Sequence, residues 1–288
     1  MRTFLFIIAF PLVVFSQSSF EKGKKAFEGG NFKQAIPLFT RALENEPSDK
    51  MTRDYLGQSY ARVQRWEKSS EVNKTLVEDY PENAEYHFRY GGALGLVAKE
   101  ANSFQALSLL RDVKFHLKKA IELDPKHIEA RWALLQIYLE LPGIVGGSES
   151  TSREYAAQLQ SISPVDGALA YGYIERELEN HDKAEVFYKK AVDLGQSVTT
   201  YKELAELYKR TGNEADYFET LEIGIKKLNS IALASAYVES ALRLNRNKQK
   251  ALEILNTLTP AELNPGSEPR SGSSEEIEKL NQLKSKLN

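Results

Sequence analysis

The apolar residues of the chain recur at helical spacing along most of its length. Between about residues 18 and 259 they fall at i, i+3, i+4 and i+7, which predicts helices with one buried stripe each. Prolines interrupt this pattern at intervals and, since proline cannot continue a helix, they predict where second helices of successive pairs end. These prolines are Pro47, Pro81, Pro125 and Pro164.

Small residues repeat with a fixed period. Gly23, Gly57 and Gly91 stand 34 residues apart, and the same interval separates Pro47 from Pro81. A pair of antiparallel helices cannot bury its apolar face alone, so tandem pairs of this length are expected to stack into one continuous core. A small residue at a fixed phase allows the two helices of a pair to approach closely.

The motifs Leu56-Gly57-x2-Tyr60 and Tyr201-x2-Leu204-Ala205-x2-Tyr208 resemble the first helix of the tetratricopeptide repeat family. The resemblance covers about residues 18–259, in seven repeats of which the last is degenerate. It implies an all-α fold, a right-handed α-solenoid of about seven helix pairs. Asn31 and Asn213, next to Gly30 and Gly212, suit the tight turn inside a pair.

The two ends of the chain differ from the repeats. Arg2 followed by the apolar run 4–15, with Val14 and Ser16 before Gln17, predicts a signal peptide over residues 1–16. The run is too short to span a bilayer, so we expect a mature chain without a transmembrane span, secreted or periplasmic. The repeats then occupy 17–259, a Pro/Gly/Ser-rich linker 260–274, and a C-terminal helix 275–288 that caps the last repeat or stays mobile.

The amino-acid composition and the absence of known motifs limit the classes of function that we expect for this chain. The 38 Lys and Arg nearly balance 40 Asp and Glu, which disfavours a nucleic-acid partner. The chain has no cysteine and only four scattered histidines, and no catalytic, phosphate-binding or metal-binding motif occurs. We therefore expect no catalytic residue, no cofactor and no metal, and thus not an enzyme.

One segment departs from the repeat pattern. Residues 141–148, Leu-Pro-Gly-Ile-Val-Gly-Gly-Ser, stand where a short turn should join the helices of the fourth repeat. They resemble a loop of some exported bacterial tetratricopeptide proteins. Ile144 and Val145 are apolar residues in a place that should be exposed. They are expected either to form a binding loop or to fold back as a structural plug.

The resemblance also implies a concave groove lined by the first helices. Mapping the groove positions brings aromatic residues into the middle repeats, with Trp132 open to a groove or a core interpretation. The predicted function is an exported scaffold that binds a protein or peptide partner; the alternative is a small-molecule or lipid carrier with an aromatic pocket near residues 88–173. The predicted partner-binding residues are Phe88, Trp132, Gln136, Tyr173, Arg176, Ile144 and Val145.

Overall fold

The computed structural model describes residues 18–258 and 274–287, which form fifteen α-helices, one 3₁₀ helix and no β-strand. The expected signal peptide and nearly all of the expected linker lie outside the described residues. The α-helices, in chain order, are α1 Ser19–Glu28, α2 Phe32–Asn45, α3 Lys50–Arg62, α4 Trp66–Asp79, α5 Ala84–Glu100, α6 Ser103–Leu123, α7 Ile128–Glu140, α8 Glu149–Ile162, α9 Pro164–Glu177, α10 His181–Gly195, α11 Val198–Arg210, α12 Glu214–Leu228, α13 Ile231–Leu244, α14 Lys248–Thr257 and α15 Ser274–Leu287.

The order of helices α1–α14 agrees with the seven successive pairs that the periodicity predicts, and contacts within the pair are described for six of them. In the pairs α1–α2, α3–α4, α7–α8, α9–α10, α11–α12 and α13–α14, the first helix packs against the second. Second helices also pack against the first helix of the next repeat, as α2 does on α3 and α10 on α11. The predicted fold class is confirmed: the protein is all-α, built from tandem helix pairs of the α-solenoid type. No described helix has the length and apolar character needed to cross a membrane.

The chain divides into two compact units, the first ending at Val113 and the second starting at Lys114. In the first unit, Phe39 and Leu56 belong to one buried apolar cluster, and Leu76 and Tyr86 to another. The second unit has a larger core that runs through its last three repeats and reaches Leu283 on α15.

The closest packing inside a pair places a ring against a glycine. Phe39 and Tyr188 are fully buried, and each lies sixteen residues after a glycine of the first helix. A Cβ atom at Gly23 would lie 2.8 Å from the Phe39 ring, and one at Gly172 would lie 2.7 Å from the Tyr188 ring. Gly57 has the expected close contact too, although a Cβ there would meet the Asn73 amide, at 3.2 Å, instead of a ring.

Proline and glycine mark the helix ends largely as predicted. α2, α4 and α6 each end two residues before a proline. α8 ends at Ile162, again two residues before the predicted Pro164, and Pro164 is in addition the first residue of α9, which the Ser163 hydroxyl caps. Proline suits this position because the first helical residue needs no N–H partner and has a φ near that of the ring. Gly30 and Gly212 both adopt φ +75°, which the tight turns within repeats require.

The C-terminal helix α15 packs on α13. The Lys279 ammonium pairs with the Glu239 carboxylate at 2.6 Å, and Leu283 is buried. In the structure this helix therefore covers part of the last repeat.

Two glycines of the first unit provide a matched test of the packing. Gly23→Ala should lower the free energy of unfolding, because displacing the Phe39 ring costs about 1–3 kcal/mol and outweighs the roughly 0.5–1 kcal/mol that alanine adds in a helix. Gly92→Ala, where an added Cβ meets nothing within 4 Å, should raise it by that smaller amount. Thermal and urea unfolding of both variants measure the difference; a shift of the same sign in both would contradict the packing.

Candidate functional site

In the second unit the first helices of successive repeats lie side by side. α7 contacts α9, α9 contacts α11, and α11 contacts α13. We call the surface formed by α7, α9, α11 and α13 the first-helix face. It carries four of the predicted partner-binding residues, namely Trp132, Gln136, Tyr173 and Arg176.

Trp132 is a half-buried residue that joins two of these helices. Its indole N–H donates to the Asp166 carboxylate at 2.9 Å. Asp166 also accepts a hydrogen bond from the Ser163 hydroxyl at 2.6 Å, at the start of α9. The indole packs against the core clusters of the unit and contacts the Tyr173 ring edge-to-face, with centroids 6.3 Å apart. Trp132 therefore packs on the core and is also partly exposed on the first-helix face. The groove interpretation and the core interpretation are each correct in part.

Tyr173 continues the row along α9. Its hydroxyl donates to the Glu140 carboxylate of α7 at 2.7 Å. Burial, together with this hydrogen bond, raises the pKa of Tyr173 well above its ordinary value, so the phenol remains protonated at neutral pH. A protonated phenol is a hydrogen-bond donor, and the Glu140 carboxylate fixes its direction.

Arg176 is held by neighbours on several sides. Its guanidinium lies 5.1 Å from the Tyr173 ring centroid and 5.9 Å from that of Tyr188. It also bonds to the carboxylates of Glu203 at 2.8 Å and Glu177 at 3.0 Å. The Arg176 side chain is only 13% exposed, so its charge is paired before any partner arrives. Such an arrangement fixes the side chain without leaving a buried charge uncompensated.

A cavity of about 550 Å³ lies beside Arg176, toward the ends of α11 and α13. Lys209 pairs with Glu206 at 3.0 Å, and Arg210 pairs with Glu177 at 2.9 Å. The lining therefore contains both cationic and anionic side chains, with the cationic ones in excess. The lining is Arg176, Glu206, Lys209, Arg210, Gly212, Glu214, Tyr217, Arg243 and Leu244.

Phe88 belongs to the first unit and lines a different cavity. It lies on α5, is half-buried, and faces a cavity of about 310 Å³ bordered by α3, α4 and α5. Beside it, Arg89 forms ion pairs with Asp54 and Glu85. Burial raises the pKa of Asp54 from its ordinary value even though Arg89 opposes the shift.

Gln136 is exposed on the first-helix face. Val145, in the loop after α7, is half-buried.

The loop 141–148 does not form the plug that its apolar residues suggested as one possibility. Gly143–Val145 form a 3₁₀ helix, and Ile144 at its apex is 96% exposed. The Gly147 N–H donates to the Pro142 carbonyl, so the backbone forms a closed turn. The Ile144 side chain lies at the apex of this turn and points into solvent. The plug interpretation is therefore wrong for Ile144.

A lysine outside the loop fixes its position. The Lys114 ammonium donates to the Gly146 carbonyl at 2.9 Å and lies 4.5 Å from the Tyr138 ring centroid. The Tyr138 ring stacks on that of Tyr155, whose pKa burial raises to about 12. The loop is thus a shaped protrusion with an apolar tip.

The geometry agrees with what sequence comparison finds. The tetratricopeptide repeat family matches residues 20–69 and again residues 166–195. The chain therefore has segments similar to tetratricopeptide repeats in both of its units. No curated protein sequence matches it.

Solved structures with the same fold cover most of the chain. A tetratricopeptide repeat protein from Parabacteroides merdae ATCC 43184 is 14% identical, with a TM-score of 0.53 over 93% of this chain and 97% of its own. A monomeric mutant of IFIT1 with Gppp-AAAA is 19% identical, with a TM-score of 0.57 over 83% of this chain and 53% of its own. At these identities the likeness is one of fold.

Sequence reasoning missed the polar partners of the predicted residues. Asp166, Glu140 and Lys114 were not among the candidates, although each holds a candidate residue or loop in place. A signal exists for two of them. Asp166 follows Trp132 by 34 residues, and Tyr173 follows Glu140 by 33, so each pair is about one repeat apart on neighbouring first helices.

The described residues offer no metal-binding group of three or more His, Asp or Glu side chains. Two of the histidines have local structural contacts. The His127 ring accepts the Ala130 N–H at the start of α7, and the His87 ring bonds to the Pro81 carbonyl.

Two isoleucines of the second unit test the exposure of the loop tip. Ile144→Ala should change the free energy of unfolding by less than about 0.5 kcal/mol, because the side chain touches little protein. Ile174→Ala, at a fully buried position, should cost about 2–5 kcal/mol. Chemical denaturation of both variants gives the comparison. A similar cost at the two positions would mean that Ile144 packs inward.

Proposed function

We propose that this protein is an exported, non-catalytic scaffold that binds a protein or peptide partner along the first-helix face. The observation that carries the proposal is the row formed by Trp132, Tyr173 and Arg176. Binding energy at protein interfaces concentrates in these three residue types. Here they stand in contact on adjacent helices, each partly open to solvent.

The row is organised before binding. Trp132 is tied to Asp166, Tyr173 to Glu140, and Arg176 to Glu203. A partner that docks on side chains already fixed loses less conformational entropy than one that must order them. Gln136, exposed on the same face, adds a donor and an acceptor at the margin.

Ile144 and Val145 extend this proposal to the loop. Ile144 is the most exposed large apolar side chain described in the second unit, and its backbone is held by internal hydrogen bonds. An apolar tip on a fixed loop suits a small apolar depression on a partner. We assign it a docking contact secondary to the aromatic row.

The alternative is a carrier of a small molecule or lipid. A lipid site needs a cavity lined mainly by apolar and aromatic side chains. The carrier was predicted to use an aromatic pocket near residues 88–173, and there Phe88 lines a cavity of about 310 Å³ that also has Gln58, Arg62, Glu85 and Arg89 in its lining. Such polar and charged groups favour a peptide over an acyl chain. The scaffold is therefore the preferred function.

Export rests on the first seventeen residues of the sequence, with their short apolar run and the Val14-x-Ser16 pattern. We expect cleavage before Gln17. Intact mass spectrometry of the protein recovered from its host should give a chain that starts at Gln17 and fractionates outside the cytoplasm. Recovery of the uncleaved chain from the membrane fraction would contradict export by this route.

Partner binding is tested with two half-buried aromatic residues of one cluster. The mature protein is used to capture partners from envelope extract, and these are identified by mass and purified. Binding isotherms are then recorded for two variants, Trp132→Ala and Tyr155→Ala. Tyr155 lies on the second helix α8. Trp132→Ala should weaken binding by about 2 kcal/mol or more. Tyr155→Ala should weaken binding much less, because Tyr155 lies on a second helix and can affect the partner only through the secondary loop contact.

Both variants should lose stability, since each ring packs on the same core, and circular dichroism melting records that loss. Isotherms are therefore measured well below both melting temperatures. Equal affinities for the two variants would place the partner somewhere other than the first-helix face.

A further inference from the structure

The second repeat lacks the ring that packs against a first-helix glycine in the first and fifth repeats. Phe39 and Tyr188 each follow a glycine by sixteen residues and occupy the space that the glycine leaves. In the second repeat the same spacing leads from Gly57 to Asn73, which is buried to 2% exposure. A short polar side chain thus stands where the fold elsewhere places an aromatic one.

A cavity of about 310 Å³ opens at this place, bordered by α3, α4 and α5 of the first unit. Gly57, Ser69 and Asn73 form its buried polar lining, and Trp66 and Phe88 contribute rings. The remaining lining residues are Gln58, Ala61, Arg62, Glu85, Arg89, Gly92, Ala93 and Leu96. The volume is at the lower end for ligand sites, enough for one side chain and too small for a lipid.

The polar lining is incompletely satisfied. The Asn73 amide N–H₂ donates to the Ser69 carbonyl at 2.8 Å and lies 3.2 Å from the Ser69 hydroxyl, which itself donates to the Gly57 carbonyl at 3.0 Å. The Asn73 carbonyl oxygen is buried and has no hydrogen-bond partner in the described part of the chain. A buried acceptor without a donor destabilises the folded state, and native proteins hold few of them.

We propose that this cavity is a pocket for one aromatic side chain of a bound peptide, with tyrosine as its preferred occupant. The ring would take the place that Phe39 and Tyr188 fill in their own repeats. The Trp66 and Phe88 rings offer edge-to-face contacts. Once the inserted ring displaces the atoms that now cover the buried Asn73 oxygen, the phenolic O–H would supply the donor that this oxygen lacks.

The surroundings suit a peptide that carries such a side chain. Gln58 and Arg62 of α3 border the cavity on one side, and Glu85 and Arg89 of α5 on another. These groups offer donors and acceptors to main-chain amides next to the inserted ring. The pocket rests on the proposed function, because it requires a protein or peptide partner, and it adds a preference for sequence to it.

The test uses phenol as the probe and toluene as its counterpart without the hydroxyl. Each is titrated into the full mature chain, with backbone and side-chain amide signals followed by NMR. Phenol should shift the signals of Gly57, Gly92 and the Asn73 side-chain amide and saturate. Its Kd should be about tenfold lower than that of toluene, as one hydrogen bond to a buried acceptor implies.

Asn73→Phe restores the missing ring and serves as the decisive variant. It should raise the thermal midpoint and abolish the phenol shifts at Gly57 and Gly92, because the cavity is filled from within. If this variant does not fold, Asn73→Leu, which removes the acceptor at similar size, should abolish the preference for phenol over toluene. Lys74→Ala, at the exposed neighbouring position, should behave as the wild type.

Three outcomes would overturn the proposal: no phenol shifts at these signals, equal affinities for phenol and toluene, or phenol binding that survives Asn73→Phe. The titration needs no partner protein, and the partner-binding variants lie in the second unit. A failed pocket and a failed scaffold function are therefore told apart.

Discussion

The close approach of two helices at a glycine is the constraint on which this structure depends. Gly23 and Gly172 have no side chain, so a ring from the second helix lies against the backbone of the first. That contact fixes how deeply each pair is packed, and the pair fixes where the next first helix can lie. Because the constraint is local, the same device can repeat along the chain with only nearest-neighbour contacts.

The same geometry explains the candidate site. Once the first helices stand side by side, residues one repeat apart come within hydrogen-bonding reach. Trp132 meets Asp166 at an interval of 34 residues, and Arg210 meets Glu177 at 33. The first-helix face is thus held together by polar contacts that run across the repeats, in addition to the apolar contacts within and between them. A partner that binds this face therefore meets side chains that are already held by contacts within the protein.

Much of this follows from the sequence, and the reasons are physical. Helical periodicity and the 34-residue interval predict the seven pairs, and the phase within a repeat brings Trp132, Tyr173 and Arg176 to one face. The position within a repeat does not predict which charged residue a side chain will contact. Asp166 and Glu140 can therefore be predicted as partners only by comparing residues that are about one repeat apart. The repeat phase also gives no information outside the helices. It does not predict that Pro164, besides following α8, begins α9, or that Ile144 points outward, because turn geometry decides both. Asn73 shows a third limit, since an asparagine on a helix gives no sign that a ring is missing.

The loop 141–148 combines exposure with an immobile main chain. The amides of Val145, Gly146, Gly147 and Ser148 all donate to carbonyls of Tyr138, Pro142 or Gly143, and the Gly146 carbonyl accepts from Lys114. A protease must draw several residues into an extended strand before it can cut, which here means breaking these bonds together. The most exposed apolar tip described in the second unit is therefore also expected to be a poor substrate for proteolysis.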